Sequence, residues 1–171
     1  MLSCILAIAC GLFVILTDQL SKYFISSNFV LGETHDFKNG LINIQFVENR
    51  GAAWGMFSGK TIILLCFTLI LLGACVVFLF KTGGKNKLLF WALSFVVSGG
   101  LGNMIDRVFR DGAVVDFLQF DFWQSFPVFN IADCAIVIGG GLRVLYAILD
   151  IANDFKKKAV NKAEQENNED N

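Results

Sequence analysis

Thr61 to Phe80 reads TIILLCFTLILLGACVVFLF, twenty consecutive residues without a charge. As a helix rising 1.5 Å per residue, such a run covers about 30 Å, the thickness of a bilayer's hydrocarbon core. Three more apolar runs, at 4–24, 88–105 and 128–151, complete a set of four. In lipid the backbone must satisfy its own hydrogen bonds, so each run has to be a helix. Composition agrees: 55% of the 171 residues are hydrophobic and 17% charged, with a mean hydropathy of +0.60. Soluble domains are nearer 25% charged. The fold class expected is an integral membrane protein with an all-α core of four transmembrane helices, forming one domain over residues 1–155.

The segments between the spans are of a different kind. In 25–60, the stretches 29–31 and 41–47 are β-prone and separated by Gly32, Asn39 and Gly40. Ile42, Ile44 and Phe46 alternate with Asn43, Gln45 and Val47, which predicts a half-buried strand. AVVDFLQF, after the turn residues Asp111 and Gly112, reads as another strand within 106–127. A small sheet on the membrane surface follows. The charged stretch 156–171 lacks periodicity and is expected to be a disordered tail. The net charge of −1 points to no nucleic-acid partner. All five cysteines lie in apolar runs and read as small buried hydrophobes.

Lysines and arginines set the expected orientation. The loop 81–87 carries three in seven residues and 156–162 carries four in seven, against three in the 36 residues of 25–60. The positive-inside rule then puts both termini in the cytoplasm and 25–60 and 106–127 outside. Asp18 lies 14 residues into the first run, about 21 Å along the helix and close to the outer edge. The conspicuous polar groups therefore gather at one level.

The densest of these groups is Gly99 to Asp133, with five aspartates and Asn-x-x-Asp twice, at Asn103–Asp106 and Asn130–Asp133. Asp18 and Lys22, at i,i+4, share a helix face and either neutralise each other at the interface or fix neighbouring groups. Two carboxylates sharing one proton can hydrolyse an amide: one activates water while the other hydrogen-bonds the carbonyl. Asp133 is one turn inside a span with no basic neighbour; Asp116 is flanked by Val114, Val115 and Phe117. Asp116 with Asp133 is one reading and Asp106 with Asp133 the other, although Arg107 beside Asp106 suggests an ion pair holding the helix end. Asp111 reads as a turn residue, Asp121 as a surface one, and His35 as solvated. Carboxylates and amides alone form a poor metal site, so neither metal nor cofactor is expected.

DQLSK (18–22), ENRGAAWG (48–55), GGLGNMIDR (99–107), VVDF (114–117) and FPVFNIAD (126–133) resemble, in order, the motifs of the lipoprotein signal peptidase (signal peptidase II) family. The resemblance runs from residue 18 to about 150. It implies a bacterial aspartic endopeptidase of the cytoplasmic (inner) membrane, with four spans, an extracytoplasmic β-cradle and a short extracytoplasmic helix. Such an enzyme cuts prolipoproteins before a diacylglyceryl-modified cysteine. By the same resemblance Asp116 and Asp133 are the catalytic pair. Asp18, Lys22, Asn49, Gly51, Asn103, Asp106, Arg107 and Asn130 line or support the pocket. The family's partners would be lipidated prolipoproteins, membrane lipids and the cyclic peptide globomycin, with the enzyme acting as a monomer. Arg50 and Trp54 depart from the usual residues at the pocket rim. Glycines 99, 100 and 102, with Gly51, Ala52 and Ala53, leave room for a peptide or serve helix packing. Two other functions would use intramembrane carboxylates differently: a small proton-coupled transporter subunit, which expects them near the midplane, and a purely structural subunit, which leaves them unexplained.

Overall fold

A computed structural model describes residues 2–38, 40–52, 56–82 and 86–169. The elements in chain order are α1 (Leu2–Asn28), β1 (Thr34–His35), β2 (Ile42–Asn49), α2 (Thr61–Thr82), α3 (Lys87–Phe109), β3 (Val114–Phe120) and α4 (Ile131–Glu169). Among the described residues four helices are long and apolar enough to cross a membrane. Their large side chains point outward over much of the surface, Leu12, Phe13, Ile70 and Val137 among them, which suits a lipid solvent.

α3 is the hub. It packs most extensively on α4, then α1, then α2. Glycine lets α3 approach both α4 and α1 closely: a Cβ on Gly99 would strike the Ala132 carbonyl of α4, and one on Gly102 would lie 2.7 Å from Asp18 Oδ2 of α1. Of the glycines read as room for a peptide, Gly99 and Gly102 are therefore filled by the protein's own helices. Asn86 caps α3 by accepting from the Leu89 N–H at 3.1 Å.

The three strands form an antiparallel sheet in the order β1-β2-β3. Ile44 pairs with Leu118 but Val47 with Asp116, so β2 holds one extra residue between them. That bulge breaks the simple alternation expected of β2: Asn43 and Phe46 are buried while Ile44 is only half-buried. β3 is buried on both faces. Val115 and Phe117 pack with Ile25 and Phe46, while Val114 and Asp116 turn to the opposite face.

Several boundaries differ from those the sequence suggests. Residues 29–31 are no strand; they end α1 in a turn closed by Gly32 at φ 86°, with Glu33 N–H donating to the Val30 carbonyl. α3 runs through Asp106 to Phe109 instead of ending at residue 105. α4 starts at Ile131, later than 128, and continues to Glu169 across the stretch expected to be disordered. Lysine, alanine, glutamate and glutamine are good helix formers, no glycine or proline interrupts 142–169, and extending a formed helix is easy. No short helix forms outside the spans among the described residues: 56–59 and 122–125 are turns, with Phe57 and Gly59 at positive φ, which stops a right-handed helix. Nor are the cysteines buried. Cys66 is exposed and the other four are intermediate, because these helices face lipid.

Candidate active site

α4 begins with a reciprocal cap. The Asn130 side-chain oxygen accepts from the Asp133 N–H at 3.0 Å, and the Asp133 carboxylate accepts from the Asn130 N–H at 3.1 Å. The second Asn-x-x-Asp is thus a capping box with aspartate in the acidic position. The next orphan donor, the Ala132 N–H, goes to Asp18 Oδ1 of α1 at 2.9 Å.

The chain reaches this cap by folding back along β3. Phe129 exchanges backbone bonds with Leu118, at 2.8 and 2.9 Å, which sets Asn130 beside Asp116. Asn130 Nδ2 then donates to Asp116 Oδ1 at 2.6 Å and to Asn103 Oδ1 at 3.0 Å. Asn49 Nδ2 reaches the other Asp116 oxygen at 3.0 Å. Asn103 Nδ2 donates to Asp133 Oδ1 at 2.8 Å. Each carboxylate therefore receives side-chain amide donors while remaining on the wall of one cleft. Asp116, only 2% exposed, has its carboxyl pushed up to about 7, chiefly by burial and then by the charge of Asp133; the Asn49 and Asn130 bonds and the Lys22 charge oppose the rise.

Behind this pair lies a charge cluster. Lys22 Nζ is 2.8 Å from Asp18, 3.0 Å from Asp106 and 3.0 Å from Asn103 Oδ1, and it is fully buried. Lys22 is thus no interfacial lysine reaching for water. Asp106 accepts in addition from the Val115 N–H at 3.1 Å and from Arg110 at 3.3 Å. Its partners are Lys22 and Arg110, not its sequence neighbour Arg107, because adjacent residues on a helix do not face each other. With every oxygen engaged, Asp106 anchors the strand that carries Asp116 and does not itself line the cleft.

Arg107 instead donates to the Gly51 carbonyl at 3.0 Å, tying the loop after β2 to α3. Its Nε is buried and, among the described residues, has no hydrogen-bond partner. Arg50, on the rim, binds the Asp111 carbonyl at 2.7 Å; Ala53 and Trp54 lie outside the described residues. His35 is exposed against Phe37, and Asp121 accepts from Asn43. Two contributors escaped the sequence reading. Gln19 donates to Asp18, Asp106 and the Gly102 carbonyl, and its place inside the polar DQLSK patch was the available signal. Arg110 sits one turn beyond Asp106, a spacing that announces an i,i+4 pair.

The cleft measures about 420 Å³. Asp116, Asp133, Asn49, Asn103 and Arg107 form its polar end, and Leu64, Phe67, Leu71 and Val137 of α2 and α4 continue it as an apolar trough. Phe67, Leu71 and Val137 are also exposed on the outer surface, so the trough opens sideways toward lipid. A separate apolar groove of about 530 Å³ between α1, α2 and α3 holds no carboxylate. Among the described residues no three histidines, cysteines or acids cluster as metal ligands.

Comparison with known proteins gives the family and the overall fold. The family described as Signal peptidase (SPase) II matches residues 10–149. A lipoprotein signal peptidase of Enterococcus faecalis is 43% identical over 78% of this chain and 81% of its own length. One from Clostridium acetobutylicum is 40% identical over 90% of this chain and 96% of its own. A bacterial membrane enzyme solved by the in meso method at 2.3 Å superposes with a TM-score of 0.81 at 37% identity, covering 86% of this chain and 90% of that one. A second, at 1.9 Å, gives 0.75 at 37% identity over 82% and 91%. The chain belongs to the signal peptidase II family.

Proposed function

We propose that Asp116 and Asp133 act as a catalytic pair that hydrolyses the peptide bond before a diacylglyceryl-modified cysteine. As a member of its family the chain is an aspartic endopeptidase that removes signal peptides from prolipoproteins. The observation that carries the residue assignment is Asn130, which donates to Asp116 while its backbone N–H is held by Asp133 at the head of a lipid-facing cleft. The transporter and structural readings are set aside.

The chemistry follows from the pair. Asp116, protonated up to about pH 7, hydrogen-bonds the scissile carbonyl oxygen and draws electron density from its carbon. Asp133 takes a proton from water as the water oxygen bonds to that carbon. The C–N bond then breaks, the departing cysteine nitrogen takes one proton from the pair, and a single shared proton remains for the next cycle. Asn49, Asn103 and Asn130 hold the carboxylates, and the Arg107 guanidinium on the cleft wall sets a positive charge beside the substrate.

Residues 1–155 work as one peptidase domain, as a monomer in the bacterial cytoplasmic membrane, with both termini inside and the cleft outside, supported by the lysines at 81–87 and 156–162. Globomycin would compete for the same cleft. A substrate with two acyl chains enters sideways from the bilayer, where each buried methylene contributes roughly 0.8 kcal/mol. The test is a gel-shift assay with purified protein on one prolipoprotein, with and without its diacylglyceryl group. The lipidated form should be cut and the unlipidated form left whole; equal cleavage would remove the role given to the lipid.

A further inference from the structure

We infer that Lys22 is a positioning residue for both carboxylates, acting through the side-chain amide of Asn103; this rests on the Asp116–Asp133 reading above. Lys22 makes no contact with either member of that pair. Its three N–H groups go to Asp18, Asp106 and Asn103, in a site closed to water. An ion-pair anchor would be complete with the two aspartates. The third donor does something else.

Asn103 Oδ1 accepts from Lys22 and also from Asn130 Nδ2, each at 3.0 Å, which fills both of its lone-pair directions. The oxygen end of the amide is thereby fixed toward α1 and Asn130. Only Nδ2 is left to face Asp133, and it does so at 2.8 Å. Turning the amide over would set an NH₂ group against an ammonium and another amide donor, and would face Asp133 with an oxygen in place of a donor. A cation on α1 thus dictates that Asp133 meets a donor and not an oxygen.

The same oxygen steers the other carboxylate. Asn130 Nδ2, held by Asn103 Oδ1, makes the 2.6 Å bond to Asp116. Two asparagines thus distribute donors from one buried ammonium, one branch to each carboxylate. Charge balance leaves Lys22 free for this: Asp18 and Asp106 are offset by Lys22 and by Arg110, which lies 3.3 Å from Asp106.

The test avoids stranding a buried charge by working in an Asp18→Asn background, where the asparagine oxygen can still accept from the Ala132 N–H. Cleavage of the lipidated prolipoprotein is followed in detergent under single-turnover and steady-state conditions. Adding Lys22→Met should lower kcat by about tenfold or more with KM within about twofold, since the carboxylates are misplaced and not the substrate. In an Asn103→Ala background the same change should alter kcat by less than about twofold, because the route through Asn103 is already gone. The alkaline limb of the kcat profile should also move to higher pH in the Lys22→Met protein relative to its Asp18→Asn parent, as Asp116, faced by Asn49, Asn130, Asp133 and Arg107, loses the influence of the ammonium. If Asn103→Ala is inactive, Asn103→Ser takes its place as the background, with the same reading of kcat. Should the Met protein fail to fold, Lys22→Gln takes its place with the same readings. An equal proportional loss in both backgrounds, or a lower melting temperature with kcat and the pH profile unmoved, would overturn the inference. Asp133→Asn on the same substrate separates the cases: if it still cleaves, the catalytic pair itself has failed.

Discussion

Asn130 donates to Asp116 across 2.6 Å while serving as the N-cap of α4, so one side chain both starts a membrane helix and aims a carboxylate. Its neighbours leave it no other orientation, since its oxygen is held by the Asp133 N–H and its nitrogen by Asn103, Val115 and Asp116.

Asn130→Ala should therefore lose both functions. Removing an N-cap costs about 1 kcal/mol, and leaving Asp116 short of a donor should lower kcat more than stability alone explains. Asn130→Ser restores the cap and not the reach to Asp116. Melting temperature and cleavage rate, measured together, should show the serine protein recovering stability without recovering kcat.

Asp106→Asn should act on the fold. It leaves Lys22 and Arg110 short of a buried carboxylate, a class of loss that costs about 3–5 kcal/mol, and it loosens the Val115 N–H bond at 3.1 Å. Detergent thermal unfolding should drop by several degrees, with cleavage persisting in the fraction that remains folded. A well-folded Asp106→Asn protein with no turnover would move the catalytic role to Asp106.

Asp116 gives a pH signature. Its folded value of about 7 lies above the ordinary 3.8, so the folded state holds the proton more tightly than the unfolded chain. The stability contribution is complete below about pH 4, shrinks between about 4 and 7, and is gone above that range. Relative to wild type, Asp116→Asn should gain stability as pH rises from 5 to 8. Wild-type kcat should decline above about pH 7 as the acid loses its proton. A melting-temperature difference that is flat with pH would contradict the assignment.

Gly99→Ala should destabilise by roughly 1–3 kcal/mol or more, because its methyl meets the backbone of Ala132, which cannot swing aside. Gly140→Ala, where a Cβ meets nothing within 4 Å, is the matched control and should be neutral. Unfolding of the two proteins in the same detergent checks this.

How much of this was readable beforehand depended on range. The four spans are legible because lipid enforces long, predominantly apolar runs, and Thr61–Phe80, without a charge, has no alternative reading. Asp116 stood out through its flanking valines and phenylalanine. Asp106 was misread because its partners, Lys22 and Arg110, are 84 residues away and one helical turn away, whereas Arg107 merely sits next to it. The bulge in β2 was illegible, since nothing local to Ile44–Val47 marks an extra residue; the pairing with β3 creates it. The end of α4 is not legible from polarity: the charged stretch after 155 lacks an apolar face, yet its residues favour helix and continue one already formed.

The most direct test of the account compares wild type, Asp116→Asn and Asp133→Asn, purified in one detergent and given the same lipidated prolipoprotein. Gel shift should show complete processing by wild type and no product from either variant, with all three melting within a few degrees at pH 6. Near-wild-type cleavage by either folded variant would take that aspartate out of the pair, and the mechanism built on Asn130 would fall with it.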